Sequence, residues 1–362
     1  MRKITNILVT GGAGFIGSNF IHSIFKSSAF TGKIVNFDKL TYAGNLENLT
    51  EIENLYGGEK YFFIRGDICN SGKVEEVFKT YKIDTVVHFA AESHVDRSIS
   101  GPGEFIKTNI TGTYTLLEAA RGYWGSREDV LFHHVSTDEV FGSLGENGFF
   151  DEETSYDPRS PYSASKASSD HLVRSYFHTF GLPITISNCS NNYGPYQFPE
   201  KLIPLIIQNI IDEKPLPIYG DGKYIRDWLY VDDHNNAIVN IMKNGKTGET
   251  YCIGGENEWE NIHLVNVLCE KLAERFGKDK NYYKKLISFV KDRPGHDRRY
   301  AINCNKLKSE LKWEQSVNFS KGLDLTLDWY LDNKKWTDNV KSGDYKDWIE
   351  KNYTKRQSNY SG

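Results

Sequence analysis

Tyr162-Ser163-Ala164-Ser165-Lys166 sets a phenol and an ammonium one helical turn apart, so both can leave one helix face toward the same cavity. A phenol of pKa near 10 is only about 0.1% ionised at pH 7, and a neighbouring positive charge favours its phenolate. That phenolate can take the proton of a hydroxyl while hydride leaves the same carbon. Taken alone, the spacing is more often that of an exposed Tyr/Lys pair on a helix. A second cluster, Thr137-Asp138-Glu139, puts two carboxyl groups directly behind the strand Leu131 to Ser136. Crowding two carboxyls in a closed pocket raises the pKa of at least one of them and would keep Asp138 protonated near neutrality. A solvated Asp-Glu pair is the alternative; the carboxyl edge of a parallel sheet, where ligands bind, argues against it.

A hydride needs an acceptor, and the sequence offers a place for one. Gly11-Gly12-Ala13-Gly14-Phe15-Ile16-Gly17 follows one strand and precedes one helix, with glycines 11, 14 and 17 in the GxxGxxG variant of the dinucleotide fingerprint. Small residues let the backbone approach a pyrophosphate, and the next helix turns its free N–H groups toward that charge. A tight glycine turn without a ligand is the other reading. Asp38 ends the next strand, about 20 residues on, where an acidic side chain bonds the adenosine ribose and repels a 2′-phosphate. NAD is thus expected over NADP unless Lys39 turns inward, and a merely solvated aspartate remains open. Asp67 is placed either to reach the adenine edge or to cap its turn.

The elements around these residues alternate. Ile7 to Thr10, Lys33 to Phe37, Tyr61 to Arg65, Thr85 to Phe89, Leu131 to Ser136 and Ile184 to Cys189 read as strands. Asn19 to Lys26, Val74 to Tyr81, about Glu104 to Arg121, and Ser165 to Phe180 read as helices. Alternation of this kind predicts an α/β fold, a Rossmann-type doubly wound parallel sheet. Prolines 195, 199, 204, 215 and 217 mark a change after Asn192. We expect an NAD-binding domain over 1–192, with some later segments returning to it, and a smaller interleaved lobe over 193–355. A frayed tail follows over 356–362. Leu323, Leu327, Tyr330 and Leu331 within Gly322 to Leu331 have the spacing of a docked amphipathic helix.

Composition narrows the class. The 362 residues are 25% charged and 39% hydrophobic, with a formal net charge of −4, which suits a soluble enzyme and gives no reason to expect nucleic-acid binding. No stretch approaches the roughly 20 apolar residues that span a bilayer, and the first residues read as a strand rather than a leader, so a cytoplasmic location is expected. The five cysteines (69, 189, 252, 269 and 304) are scattered, without metal-ligand spacing, and no metal is expected.

These motifs together resemble the extended short-chain dehydrogenase/reductase family, whose members largely modify nucleotide sugars. Three segments place the chain near its 4,6-dehydratase branch: Val135 to Gly142 around Thr137-Asp138-Glu139, Ala90-Ala91-Glu92-Ser93-His94-Val95-Asp96, and Asp292-Arg293-Pro294-Gly295-His296-Asp297. Similar epimerases have a serine and a threonine there without the carboxyl pair, and GDP-mannose dehydratases only the glutamate. The resemblance implies dTDP-glucose as substrate and tightly held NAD that is regenerated in each turnover. It implies oxidation at C4 by Tyr162, Lys166 and Thr137, then loss of water across C5 and C6 with Glu139 as base and Asp138 as acid. The product would be a 4-keto-6-deoxy sugar of the kind that feeds rhamnose and other deoxysugars.

For NAD the resemblance implies Gly11, Gly14, Phe15, Ile16, Gly17, Asp38, Lys39, Leu40, Thr41, Asp67, Ile68, Phe89, Ala90, Ala91, Ser93, Thr108, Tyr162, Lys166 and Asn192. For the nucleotide sugar it implies Ser93, Thr137, Asn191, Lys201, Leu202, Pro217, Ile218, Tyr219, Arg226, Asn261, Arg293 and His296, of which Lys201, Arg226 and Arg293 suit phosphates. A 4-epimerase, a UDP-sugar dehydratase and a noncatalytic NAD-binding protein are the competing readings. Tyr114, Leu116, Leu117, Leu172, Tyr176 and Phe177 exceed what one buried helix face needs, and a helical homodimer interface would account for them.

Overall fold

Short runs of valine, isoleucine and phenylalanine form the strands of the computed structural model, which describes residues 2–27 and 30–341. In chain order these are β1 (Asn6–Thr10), β2 (Lys33–Asp38), β3 (Tyr61–Arg65), β4 (Thr85–His88), β5 (Leu131–Thr137), β6 (Ile184–Cys189), β7 (Asn191–Tyr193), β8 (Leu216–Tyr219), β9 (Ile225–Tyr230), β10 (Thr250–Ile253), β11 (Glu258–Glu260) and β12 (Ile287–Val290). A seven-stranded sheet runs β10-β6-β5-β4-β1-β2-β3, every pair parallel. Helices cover both of its faces, which is why β4, β5 and β6 are buried along their whole length rather than alternately. The order reverses between β1 and β4. That switch point opens a crevice at the carboxyl ends of the strands.

The chain after β6 builds two smaller sheets. β7, β9 and β11 form one, and β8 with β12 forms the other. Their helices bury a separate core of Ile203, Ile207, Leu264, Leu268, Leu323 and Leu327. β10 returns to the large sheet beside β6. The amphipathic segment lies in a helix spanning Phe319–Asp332, one turn longer at its start because Asn318 caps it. The tail expected over 356–362 lies outside the described residues.

The helix expected near Glu104 to Arg121 is a continuous run over 102–124 whose stretch Ile106–Gly112 has the wide π winding. Inside it, the Asn109 side chain accepts from the Glu92 backbone N–H at 2.9 Å and donates to the Glu92 carbonyl and to Ser165 Oγ. The expectation that the surplus apolar residues make an interface needs correction. Leu116, Leu117 and Tyr176 are buried within the subunit, and of the named set Tyr114 is the one fully exposed, at 48%.

Three imidazoles, His133, His134 and His234, are completely buried, and burial pushes their pKa values down to about 3, 4 and 3. The unfolded chain takes up these protons near pH 6.5, whereas the folded protein cannot until about pH 4 or below. Stability is therefore whole above about pH 6.5 and is lost as pH falls, by about 1.4 kcal/mol per imidazole per pH unit. Urea midpoints measured from pH 7 to 4.5 should fall steeply, and a flat profile would contradict this.

Candidate active site

The crevice at the switch point is lined from the glycine turn to the start of the second lobe, Gly11 through Lys201. Gly11 has φ +73°, and a Cβ there would stand 2.7 Å from the Ala90 backbone. At Gly17 a Cβ would fall 2.4 Å from the Gly11 carbonyl oxygen. Gly14 precedes the helix Phe15–Lys26 without any side-chain cap, so the helix's first N–H groups remain for a ligand. The backbone cradle suits a pyrophosphate. Gly17→Ala should weaken NAD binding by at least about tenfold, read by titration of the protein; unchanged affinity would contradict the cradle.

Asp38 is buried and accepts from the Ala13 N–H at 2.9 Å and the Leu40 N–H at 2.8 Å, which leaves acceptor capacity on both oxygens for ribose hydroxyls. Lys39 is drawn to Asp67 at 2.9 Å instead of turning inward, so Asp38 is left without a cationic neighbour that would welcome a 2′-phosphate. Asp67 also accepts from the Cys69 N–H, capping its turn while still lining the crevice. Of the residues implied for NAD, all but Leu40 line the crevice; Leu40 contributes its amide to Asp38.

Opposite the glycine turn, β5 ends at Thr137 and the chain winds into a 3₁₀ turn, Asp138–Phe141, capped by Thr137 Oγ1. The helix Pro161–Phe180 starts beside it, with Ser160 as its cap and Pro161 at its first position. Tyr162 and Lys166 therefore project from its first turns, 8% and 4% exposed. Lys166 Nζ donates to the Val135 carbonyl at 2.9 Å, and Ser163 Oγ donates to Glu139 Oε2 at 3.3 Å. Helix, strand end and carboxyls are thereby one assembly.

Burial works against every charge here. It raises the Tyr162 phenol well above its usual range, assisted by the Glu139 charge and opposed by a hydrogen bond from Thr137. It lowers the Lys166 ammonium, opposed chiefly by the charge of Asp170. Asp138 is driven well above the carboxylate range by burial and then by Glu139, and its Oδ2 has no hydrogen-bond partner. Glu139 is raised by burial, but Arg293, Arg226 and Lys201 pull it down. The pair is thus split into a neutral acid and a more readily ionised neighbour, the arrangement that acid–base chemistry on adjacent atoms requires.

The residues implied for the nucleotide sugar divide into two sets. Ser93, Thr137, Asn191 and Lys201 line the crevice, whereas Leu202, Pro217, Ile218, Tyr219, Arg226, Asn261, Arg293 and His296 are not in its lining. Arg226 is committed to the carbonyls of Ile225 and Asp297. Tyr219 donates to Asp96 at 3.0 Å, and Arg293 lies 3.9 Å from the same carboxylate. His296 stacks on Tyr224 and pairs with Asp292 at 2.7 Å. Both arginines still act on Glu139 through space.

Tyr42, Gln197 and Glu200, which no motif marks, also line the crevice, as does Glu92 of the Ala90 to Asp96 segment. Glu200 is 4% exposed, accepts from Tyr42 at 3.0 Å and lies 3.6 Å from Arg97, whose guanidinium covers the Tyr42 ring. No local pattern announces contacts between residues 158 positions apart.

A glycine turn at a sheet switch point, an acidic strand end and a buried Tyr/Lys pair define an extended short-chain dehydrogenase/reductase. Residues 8–326 match the family described as GDP-mannose 4,6 dehydratase, and the chain belongs to that family. A dTDP-glucose 4,6-dehydratase of Salmonella typhimurium is 53% identical, over 97% of this chain and 99% of the relative. One from Neisseria meningitidis serogroup B is 54% identical, over 96% and 98%. Among solved structures, dTDP-glucose 4,6-dehydratase from Bacillus anthracis in complex with NAD superposes with a TM-score of 0.83 at 47% identity, covering 93% of this chain and 99% of that one. UDP-glucose 4-epimerase from Thermotoga maritima superposes with a TM-score of 0.80 at 28% identity, covering 91% and 100%. The fold is common to both activities, and the sequence lies nearer the dehydratases.

Proposed function

We propose that this protein converts dTDP-glucose into dTDP-4-keto-6-deoxyglucose and water. The observation that carries the reading is the Asp138/Glu139 pair at the end of β5, one member buried without a partner on Oδ2, beside Tyr162 and Lys166. Gly11, Gly14, Gly17 and Asp38 would hold NAD. When bound, NAD takes a hydride from C4 and returns it at C6, so the reaction is redox-neutral overall.

The chain's own groups move the protons. Tyr162 accepts the proton of the C4 hydroxyl as a phenolate, which the Lys166 ammonium and the charge of bound NAD would favour against burial, and Thr137 holds that oxygen against it. The ketone so formed acidifies the C5 proton, which Glu139 removes while Asp138 protonates the hydroxyl leaving C6; as hydride returns to C6 the proton on Glu139 goes back to C5, and the proton gained by Tyr162 balances the one given up by Asp138. Lys201 at the crevice wall supplies positive charge for the diphosphate, and Arg226 and Arg293 add theirs through space. A 4-epimerase needs no acid beside the C6 hydroxyl, which leaves Asp138 without a task. Incubation with dTDP-glucose, with UDP-glucose in parallel, tests the reading. A product lighter by one water from the thymidine sugar is expected, and a galactose isomer or no conversion sinks it.

We further propose a homodimer through the helices spanning 102–124 and Pro161–Phe180, where Ile106, Tyr114 and Phe180 stand 54%, 48% and 51% exposed. Light scattering reads this directly, and a monomer at micromolar concentration rejects it. No helix among the described residues is long and apolar enough to cross a membrane, and the five cysteines are free. Both fit a proposed cytoplasmic site of action.

A further inference from the structure

Beneath the Tyr162/Lys166 pair, on the same helix, lies a carboxylate to which the chemistry above gives no part. Asp170 is one turn beyond Lys166 and has no exposed surface at all. Tyr156 donates to its Oδ2 at 2.8 Å, Asn188 Nδ2 donates to the same oxygen at 3.2 Å, and His134 Nε2 stands 3.1 Å from Oδ1. Asn188 also donates to the Thr137 carbonyl, and Arg174 donates to Tyr156, so the network runs from the catalytic strand end to the far side of the helix. Burial resists ionisation of Asp170, but the His134 ring, the Lys166 charge and the Ser136 hydroxyl hold its carboxyl below the usual range. A sealed carboxylate with two donors on Oδ2 and the His134 ring 3.1 Å from Oδ1 is a fixed negative charge.

Lys166 needs one. Its ammonium is 4% exposed and has the Val135 carbonyl as a hydrogen-bond partner, which offers a dipole but no charge. The titratable groups acting with it are Asp170 on its own helix, His134 on β5, His88 on β4 and Cys189 on β6, while Tyr162 and Asp138 line the same crevice. His134 and His88 are held neutral by burial, the Cys189 thiol is pushed up to about 12, and Asp138 is kept protonated. Glu139 faces Tyr162, where its charge opposes the phenolate. Asp170 is the remaining ionised acid of the set.

We propose that Asp170 is the counter-ion that keeps Lys166 charged, so that the proton lost by the Tyr162/Lys166 pair leaves the phenol and not the ammonium. It is a positioning residue, acting through Lys166 across one helical turn. The pair can lose its first proton in two ways, giving either ammonium with phenolate or amine with phenol, and only the first accepts the C4 hydroxyl proton. Removing the negative charge makes both losses easier but favours the unproductive one.

The inference rests on the proposed role of Tyr162, and two measurements separate its failure from a failure of that role. In the first, kcat of NAD-loaded enzyme on dTDP-glucose is followed against pH. Asp170→Asn should move the acid limb about one unit toward lower pH and lower the plateau about tenfold, with KM within about twofold, and Asp170→Glu should bring the limb back. A purely structural role lowers the rate without moving the limb, and that result overturns the proposal. The second needs no turnover: melting temperatures of Lys166→Met, Asp170→Asn and the double variant. The double variant should melt well above the sum of the two single losses, and should fold even if Asp170→Asn alone does not. Additive losses overturn the pairing.

Discussion

Replacing Asp138→Asn together with Glu139→Gln should leave oxidation at C4 running while release of water falls by about a thousandfold or more, the combined scale of losing a general acid and a general base. The division follows from where the groups stand. Tyr162, Lys166 and Thr137 hold the C4 side, and the amides of asparagine and glutamine keep an oxygen to accept from Thr137 and Ser163 where the carboxyls did. Lys166 is anchored by the Val135 carbonyl and Tyr162 by its position at the start of the Pro161–Phe180 helix. Asp138, buried and held protonated, is a proton donor that asparagine cannot replace, and glutamine cannot take the C5 proton. In a single turnover the absorbance of the reduced nicotinamide should therefore rise and persist. Loss of both steps together would show that the two carboxyls also serve oxidation.

Tyr162→Phe should have the complementary effect. Without the phenol oxygen, C4 oxidation should slow by about 10³- to 10⁴-fold, and no reduced nicotinamide should accumulate in either background. The aromatic ring keeps its edge contact with Phe105, so melting temperature and NAD affinity should change little. Stopped-flow absorbance decides it. Persistence of the fast oxidation phase would remove Tyr162 from its role and pass the task to a water or to Glu139.

The parts of this site that sequence makes legible are those fixed within one strand, turn and helix. Gly11 to Gly17, Asp38, Thr137 to Glu139, and Tyr162 with Lys166 are each placed by their own local geometry, so their types and spacings carry the information. The alternation of strands and helices likewise announces the parallel sheet, although its order, β10-β6-β5-β4-β1-β2-β3, rests on long-range pairing. What escaped is what the fold assembles from afar. Arg226 and Arg293 read as phosphate ligands, and the structure adds partners the sequence does not show, the Ile225 and Asp297 carbonyls for Arg226 and Asp96 for Arg293. Glu200 meets Tyr42 and Arg97 only after the second lobe closes over the first domain's loops. Leu116, Leu117 and Tyr176 read as surplus for one helix face because the sequence does not show that each helix packs on two neighbours. Asp170 follows the Tyr/Lys pair by a single turn, but nothing local distinguishes it from a solvated helix aspartate. Its burial is a property of the sheet beneath it.

The proposed reaction turns on one hydrogen atom. It travels from C4 to C6 of the same sugar, through a cofactor that stays in place while Glu139 and Asp138 remove water between the two transfers. dTDP-glucose carrying deuterium at C4, mixed with an equal amount of unlabelled substrate bearing carbon-13 in the ring, tests this directly. The expected product is a 4-keto-6-deoxy sugar with deuterium at C6 of the molecules that began with it, and none on the carbon-13 population. Deuterium washed into solvent, scrambled between the two populations, or retained at C4 of a galactose isomer would contradict the assignment.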